Sequence, residues 1–332
     1  MQEERQHFIY RKRGEIVVLF IIGKILIIFA FVGIGFVACK VRFLDEQSIP
    51  YLTQLMVNVT APCMLITSIA GSPFSGRTAW AAVQMLVGTA IFFVAGIFVA
   101  AVFLKMIAVP KEDTGVYNML ITTQNSGFMG FPLAQGIFGE QGLFFMVLSN
   151  LVMNIYMYTA GLLQINMGSP KKKSNWKNTV KSLLNPCSVA AAAGLVLLVA
   201  QIKLPQFIDD VITPLGDATI PVSMVVLGVQ LATSHLRAML KNRKLILVTG
   251  VTLLVWPVLT FLAVNWLPLY TYVKIIMIYV AALPGMVMLV ALAEQEGQNA
   301  QVAAEGVALT TFFSMITLPV VTVLLKLYYG VS

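Results

Sequence analysis

Ten apolar runs, most of them joined by short connections, leave this chain few ways to fold. They cover residues 16–39, 51–69, 79–104, 117–138, 143–167, 183–202, 207–232, 245–267, 273–293 and 302–328. A helix rises about 1.5 Å per residue and the hydrocarbon core of a bilayer is about 30 Å thick, so about 20 apolar residues cross it once. Hydrophobic residues make up 58% of the chain and charged ones 11%, whereas soluble domains carry about a quarter charged residues. That much apolar surface needs lipid as its solvent. Because lipid cannot hydrogen-bond a bare backbone, each run is expected to be helical. The fold class that follows is an all-α integral membrane protein with ten transmembrane helices. The first run is too long for the core of a signal peptide and lacks a small-residue cleavage site, so it reads as a first span.

The net charge of +8 does not point to nucleic acid, because the basic residues sit between apolar runs and no basic-aromatic module accompanies them. Loops after spans 1, 3, 5, 7 and 9 hold thirteen Lys and Arg residues, against eight on the other side. The excess places the loop after span 5 in the cytoplasm and both termini outside. The basic tail Arg11–Lys12–Arg13 argues the other way. Cys39, Cys63 and Cys187 are far apart and suit neither a disulfide framework nor a metal site, and no cofactor motif is present.

The two halves share a weak pattern. Asn58-Val-Thr60-Ala-Pro62 matches Asp217-Ala-Thr219-Ile-Pro221 at an offset of 159, and the same offset carries Asn125 onto Pro284. Five spans per half is an odd number, so the halves would be inverted repeats, as in many secondary transporters. The division is a first repeat over 1–167, a basic cytoplasmic loop over 168–182 and a second repeat over 183–332.

Span 4 is unlike a lipid-facing helix. It carries Thr123, Asn125, Ser126, Gly127, Gly130 and Pro132 within ten residues. Proline lacks an N–H and clashes with the carbonyl four residues back, and glycine opens non-helical backbone. Span 9 has a counterpart at Leu283-Pro284-Gly285-Met286. Half-helices starting near Pro132 and near Gly285 would each present free N–H groups and a partial positive charge of about +0.5. Two such ends meeting at mid-membrane suit an anion, a carboxylate above all. The plain alternative at each position is a proline kink. Asn58, Asp217 and Glu305 are candidates for coupling or gating, since an ionisable or polar group inside a span is costly. For Asp217 a helix cap is the competing reading, and Glu140 and Glu294 to Glu305 read equally well as solvated turns.

The run Asn125-Ser-Gly127-Phe-Met-Gly130-Phe-Pro132-Leu133 resembles the N-x-G-x-x-G-x-P-L pattern of the auxin efflux carrier family, which includes bacterial malate and malonate permease-like proteins. Asn58 to Pro62, Ala218 to Leu231 and Ala282 to Pro284 resemble that family's second, seventh and ninth spans, in order along nearly the whole chain. The resemblance implies a scaffold of spans 1, 2, 6 and 7 that forms a homodimer. It also implies a moving domain of spans 3–5 and 8–10, with helices 4 and 9 crossing at their breaks, and elevator-like alternating access. The location expected from the resemblance is a bacterial inner membrane. The short loop at 168–182 departs from the long regulatory loop of plant auxin exporters, and the tail before Ile16 has no counterpart.

The expected activity is therefore secondary transport of a small organic anion, either malate or malonate or an auxin-like monocarboxylate, with H+ or Na+ coupling open. An anion channel and a sodium-coupled organic-anion symporter of related fold are the alternatives. An enzyme is disfavoured by the absence of H-E-x-x-H, G-x-S-x-G or an intramembrane aspartate pair.

Overall fold

The computed structural model describes residue 23 and residues 26–71, 75–167, 185–234 and 239–330. The basic tail, the loop 168–182, His235 and Arg237 lie outside them. The described chain is helical, broken by turns and by one isolated β-bridge. Six stretches are long and apolar enough to cross a membrane: Ser48–Ala70, Gly76–Ile107, Ser126–Met157, Gln206–Thr233, Arg243–Asn265 and Ala300–Tyr329. Shorter apolar helices occupy Leu26–Lys40, Pro186–Ala200 and Thr271–Ala282.

In chain order these are α1 (Leu26–Lys40), α2 (Ser48–Ala70), α3 (Gly76–Ile107), α4 (Thr114–Thr122), α5 (126–138), α6 (140–157), α7 (Ala160–Ile165), α8 (Pro186–Ala200), α9 (Gln206–Asp217), α10 (Thr219–Thr233), α11 (Arg243–Asn265), α12 (Thr271–Ala282), α13 (Met288–Glu296) and α14 (Ala300–Tyr329). The reversal between α5 and α6 falls on Gly139, at φ 70° and ψ −165°, a conformation that favours glycine. The two helices then run back along each other, so that a Cβ on Gly130 would lie 3.0 Å from Met146 Sδ and Asn150 bonds Ser126. The expected unbroken fifth span over 143–167 is corrected here. It is interrupted at Tyr158 and Thr159, and the short α7 follows.

Three helices contain a π turn, at Met56–Thr60, Ser126–Gly130 and Val251–Val255, and each is followed two residues later by proline: Pro62, Pro132 and Pro257. A proline ring collides with the carbonyl four residues before it. The wider turn moves that carbonyl aside without ending the helix. The Asp217–Pro221 motif is accommodated differently, with α9 stopping and α10 starting around Ala218.

Helices α1, α2, α8, α9 and α10 pack on one another. Their closest approach joins α1 to α10, where Gly35 lies against the Val225 backbone and Gly228 against the carbonyl of Val32. The remaining helices form a second group with a core of buried Phe, Met, Leu and Ile side chains. Burying one such side chain is worth about 1.5–3 kcal/mol where the surroundings change from water to protein. Between protein and lipid, close packing matters more, so small residues sit where backbones touch.

A Cβ at position 228 would stand 2.1 Å from the Val32 carbonyl oxygen. Gly228→Ala should therefore lower the thermal midpoint of the purified protein, by the equivalent of about 1–3 kcal/mol for overpacking. Gly250→Ala, with open space around the new methyl, should leave the midpoint unchanged.

Candidate functional site

The breaks in the fourth and ninth spans meet. Between α4 and α5 the chain is extended at Thr123, and between α12 and α13 it is extended at Leu283. Gln124 and Gly285 form an antiparallel β-bridge: the Asn125 N–H donates to the Pro284 carbonyl at 2.8 Å, and the Met286 N–H donates to the Thr123 carbonyl at 3.1 Å. The Gly285 N–H donates to Thr310 Oγ1 of α14 at 3.1 Å. Thr123, Gln124, Asn125, Ser126, Leu283 and Met286 are each less than 5% exposed. Non-helical backbone is thus held inside protein, with its polar groups paired across the crossing.

Two helices begin at this point. The expectation that a half-helix starts near Pro132 is corrected: it starts at Ser126, and Asn125 is its N-cap. Pro132 lies within α5 beyond the π turn, which the extra residue makes room for. Likewise the second half-helix starts at Met288 rather than at Gly285, because Gly285 and Met286 are engaged by Thr310 and Thr123. Among the described residues the amides of Gly127, Val287 and Met288 take no backbone carbonyl.

Asn125 has one orientation that fits. Its Oδ1 accepts from the Phe128 N–H at 3.2 Å, so the amide must turn its oxygen there, and Nδ2 is buried without a partner among the described residues. An unpaired buried donor costs about 1–3 kcal/mol unless something accepts from it. Ser126 Oγ accepts from Asn150 Nδ2 at 2.7 Å, and Asn150 Oδ1 accepts from Asn154 Nδ2 at 3.1 Å. Thr123 spends its hydroxyl proton on the Met119 carbonyl. Gly130 is a packing position, since a Cβ there would press on Leu283 and Met146 at 3.0 Å.

A second buried network lies under α4. Gln164 Nε2 donates to Asn118 Oδ1 and Thr122 Oγ1, each at 2.7 Å, and Tyr156 OH donates to Gln164 Oε1. The break at Tyr158 and Thr159 brings Gln164 into place. Asn118 also donates to the Ile97 carbonyl at 3.2 Å. These groups satisfy one another and fix the half-helix that leads to the crossing. Sequence reasoning missed Asn150, Asn154 and Gln164, because single polar residues in an apolar helix carry no pattern of their own.

Asn58 and Asp217 are exposed on the first helix group and are not part of the crossing. The cap reading of Asp217 is corrected: Asp217 ends α9, and α10 begins at Thr219 with Ala218 as its N-cap and no side-chain cap. Glu305 accepts from Gln301 at 3.0 Å one turn before Thr310. Glu140 bridges the two helix groups, accepting from Ser68 at 2.8 Å and from Gln135 at 2.9 Å.

A cleft of about 250 Å³ separates the groups beside the crossing. Ile49, Gln230, Leu231 and Thr233 line one wall and Val287, Val290, Val307 and Thr311 the other, with the exposed Glu46 and half-buried Ser234 also in the lining. Val287 follows the crossing directly and Val307 would stand 3.7 Å from a Cβ on Gly285, so these two lining residues bring the cleft beside the crossing.

Two interrupted helices crossing at their breaks, with a cleft leading to them, is transporter architecture. A family model described as membrane transport protein matches residues 20–322. The chain belongs to the membrane transport protein family. This is the auxin efflux carrier grouping that its motifs resemble, and it makes the chain a multi-pass membrane transport protein. An uncharacterized transporter of Methanothermobacter thermautotrophicus is 23% identical over 313 residues, covering 91% of this chain and 97% of the relative. An uncharacterized transporter of Methanocaldococcus jannaschii is 24% identical over 223 residues, 64% of this chain and 70% of the relative.

The Thr310 hydroxyl is the acceptor that holds the Gly285 amide, so Thr310→Val should leave a buried N–H unpaired in the crossing. A loss of about 1–3 kcal/mol in thermal stability is expected, with Thr310→Ser close to the parent. Thermal unfolding of both variants in detergent measures it.

Proposed function

We propose that the protein is a secondary transporter of a small organic anion, with the carboxylate held at the crossing of the fourth and ninth spans. The observation that carries this reading is the surplus of donors there: Asn125 Nδ2 and the amides of Gly127 and Val287 have hydrogen atoms to give and find no acceptor among the described residues. The starts of α5 and α13 add the positive ends of two helix dipoles. A carboxylate would satisfy these groups without a buried lysine or arginine.

The cleft bears on the kind of carboxylate. Among the described residues its lining holds no basic side chain, most of its walls are aliphatic, and the exposed Glu46 is part of it. A second carboxylate on the cargo would face aliphatic side chains or another negative charge, and an unpaired buried charge is expensive. A monocarboxylate with a compact apolar body fits this surface better than malate or malonate.

Alternating access follows from the two helix groups. In this reading α1, α2 and α8–α10 form the scaffold of a homodimer, and the other helices move past it as an elevator through two inverted five-helix repeats. The cleft opens on the side of the loops after α1 and α10, where Glu46 and Ser234 lie. Those loops belong to the basic side of the chain, so the conformer is open to the cytoplasm in an inner membrane. H+ or Na+ coupling is left to measurement.

Asn125→Ala should lower carboxylate transport in proteoliposomes by about tenfold to a hundredfold, the worth of one hydrogen bond to a charged group. The variant also loses the Phe128 cap, so its thermal midpoint should fall by the equivalent of about 0.5–2 kcal/mol while the protein stays folded, and parental transport rates would refute the site. A thermal-shift screen should rank apolar monocarboxylates above dicarboxylates of similar size.

Sidedness has its own test. In a variant lacking the three native cysteines, Ser234→Cys should react with an impermeant maleimide from the cytoplasmic face. Labelling from the opposite face alone would reverse the orientation.

A further inference from the structure

On the second helix group, α3 and the later part of α11 stand apart and leave a groove of about 750 Å³. Its α3 wall is Trp80, Val83, Val87, Ile91, Ala95 and Val99, a face that recurs every three or four residues over 19 positions. At 1.5 Å per residue this wall is about 28 Å long, close to the thickness of a hydrocarbon core. The α11 wall is Trp256, Leu259, Ala263 and Leu267. The helices touch at the floor, where the Phe92 and Trp256 rings are 4.9 Å apart.

One end of this slot is different. Gln84 ties α3 to the connection before α12, accepting from the Tyr270 N–H at 2.9 Å. One or two turns nearer the helix start, the Arg77 guanidinium lies 5.4 Å over the Tyr270 ring. Arg77 is exposed, and no carboxylate pairs with it among the described residues. Trp80 is 64% exposed and Trp266 89% exposed near the same end, which is how indoles sit at a membrane interface. A long apolar slot with one unpaired cation and a ring of aromatics at its head has the shape and charge of a lipid site.

We propose that this groove binds a glycerophospholipid with an anionic headgroup, one acyl chain lying between α3 and α11 and the phosphate group meeting Arg77. The guanidinium offers a planar fork of N–H donors to phosphate oxygens, which a lysine does not. The aliphatic walls recognise the chain without regard to its headgroup, so the two parts of the site separate cleanly in experiment. The groove is on the helices proposed to move, apart from the crossing and its cleft. Its test therefore stands whether or not the carboxylate reading does.

Native mass spectrometry of the purified protein, titrated with phosphatidylglycerol and with phosphatidylcholine of the same chains, reads the preference directly. The parent should retain phosphatidylglycerol about fivefold better, the worth of one basic residue at a membrane surface. Arg77→Gln should bring the two lipids level by weakening phosphatidylglycerol more than phosphatidylcholine, whose choline cation already offsets the charge of its phosphate. Ala95→Trp, which fills the slot, should weaken both. If that variant does not fold, a phosphatidylglycerol with a photoreactive acyl chain, mapped by peptide sequencing, should label the parent within residues 80–99 and 256–269, the two walls of the groove. Equal retention of the two lipids by the parent, an undiminished preference in Arg77→Gln, or labelling spread over other helices would each overturn the proposal.

Discussion

Inside a bilayer a peptide group that leaves its helix has nowhere to turn but the protein. This constraint governs the centre of the molecule. Thr123, Gln124 and Asn125 leave one helix and Leu283 to Met286 leave another, and the two breaks stay buried because each supplies the other's missing partners through the Asn125–Pro284 and Met286–Thr123 hydrogen bonds. Neither break is affordable alone. Thr310 completes the arrangement by accepting from Gly285, and the Gln164 network steadies the half-helix on the approach. What the pairing leaves over is a small set of donors with no acceptor among the described residues.

The proline-bearing helices obey the same rule in a milder form. Pro62, Pro132 and Pro257 each remove one N–H and push on one carbonyl, and a single π turn before each absorbs the disturbance. At Pro132 the π turn coincides with the start of a half-helix, so local relief and the break at the crossing occupy the same few residues. At Pro62 and Pro257 the helix continues.

The apolar runs and the interruption of spans 4 and 9 were legible in the sequence because both are written in composition: long stretches without charge, then polar and helix-breaking residues inside them. The polar run Asn125, Ser126 and Gly127 at the break was legible for the same reason. Where each half-helix starts was not. Pro132 looked like the start, yet proline marks only where a helix is strained, and the Asn125 side chain decides where the turn begins by capping Phe128. The interruption at Tyr158 and Thr159 was hidden because its residues are ordinary and its cause, the distant Gln164–Asn118 pairing, is tertiary. Asp217 looked important by its repeat position, but its half of the pattern resolves into two helices meeting at Ala218.

The contact of Gly35 with Val225, and of Gly228 with Val32, brings two main chains together with no side chain between them. Surfaces of that kind interlock at the level of the peptide groups, and sliding one past the other would force atoms through each other. Helices α1 and α10 therefore behave as one strut. The boundary near Ser68 and Glu140 is of the opposite kind, two side chains meeting end to end, able to part and find water at little cost. Any large displacement in this molecule will run along seams of that second sort and leave the glycine-to-backbone joint intact.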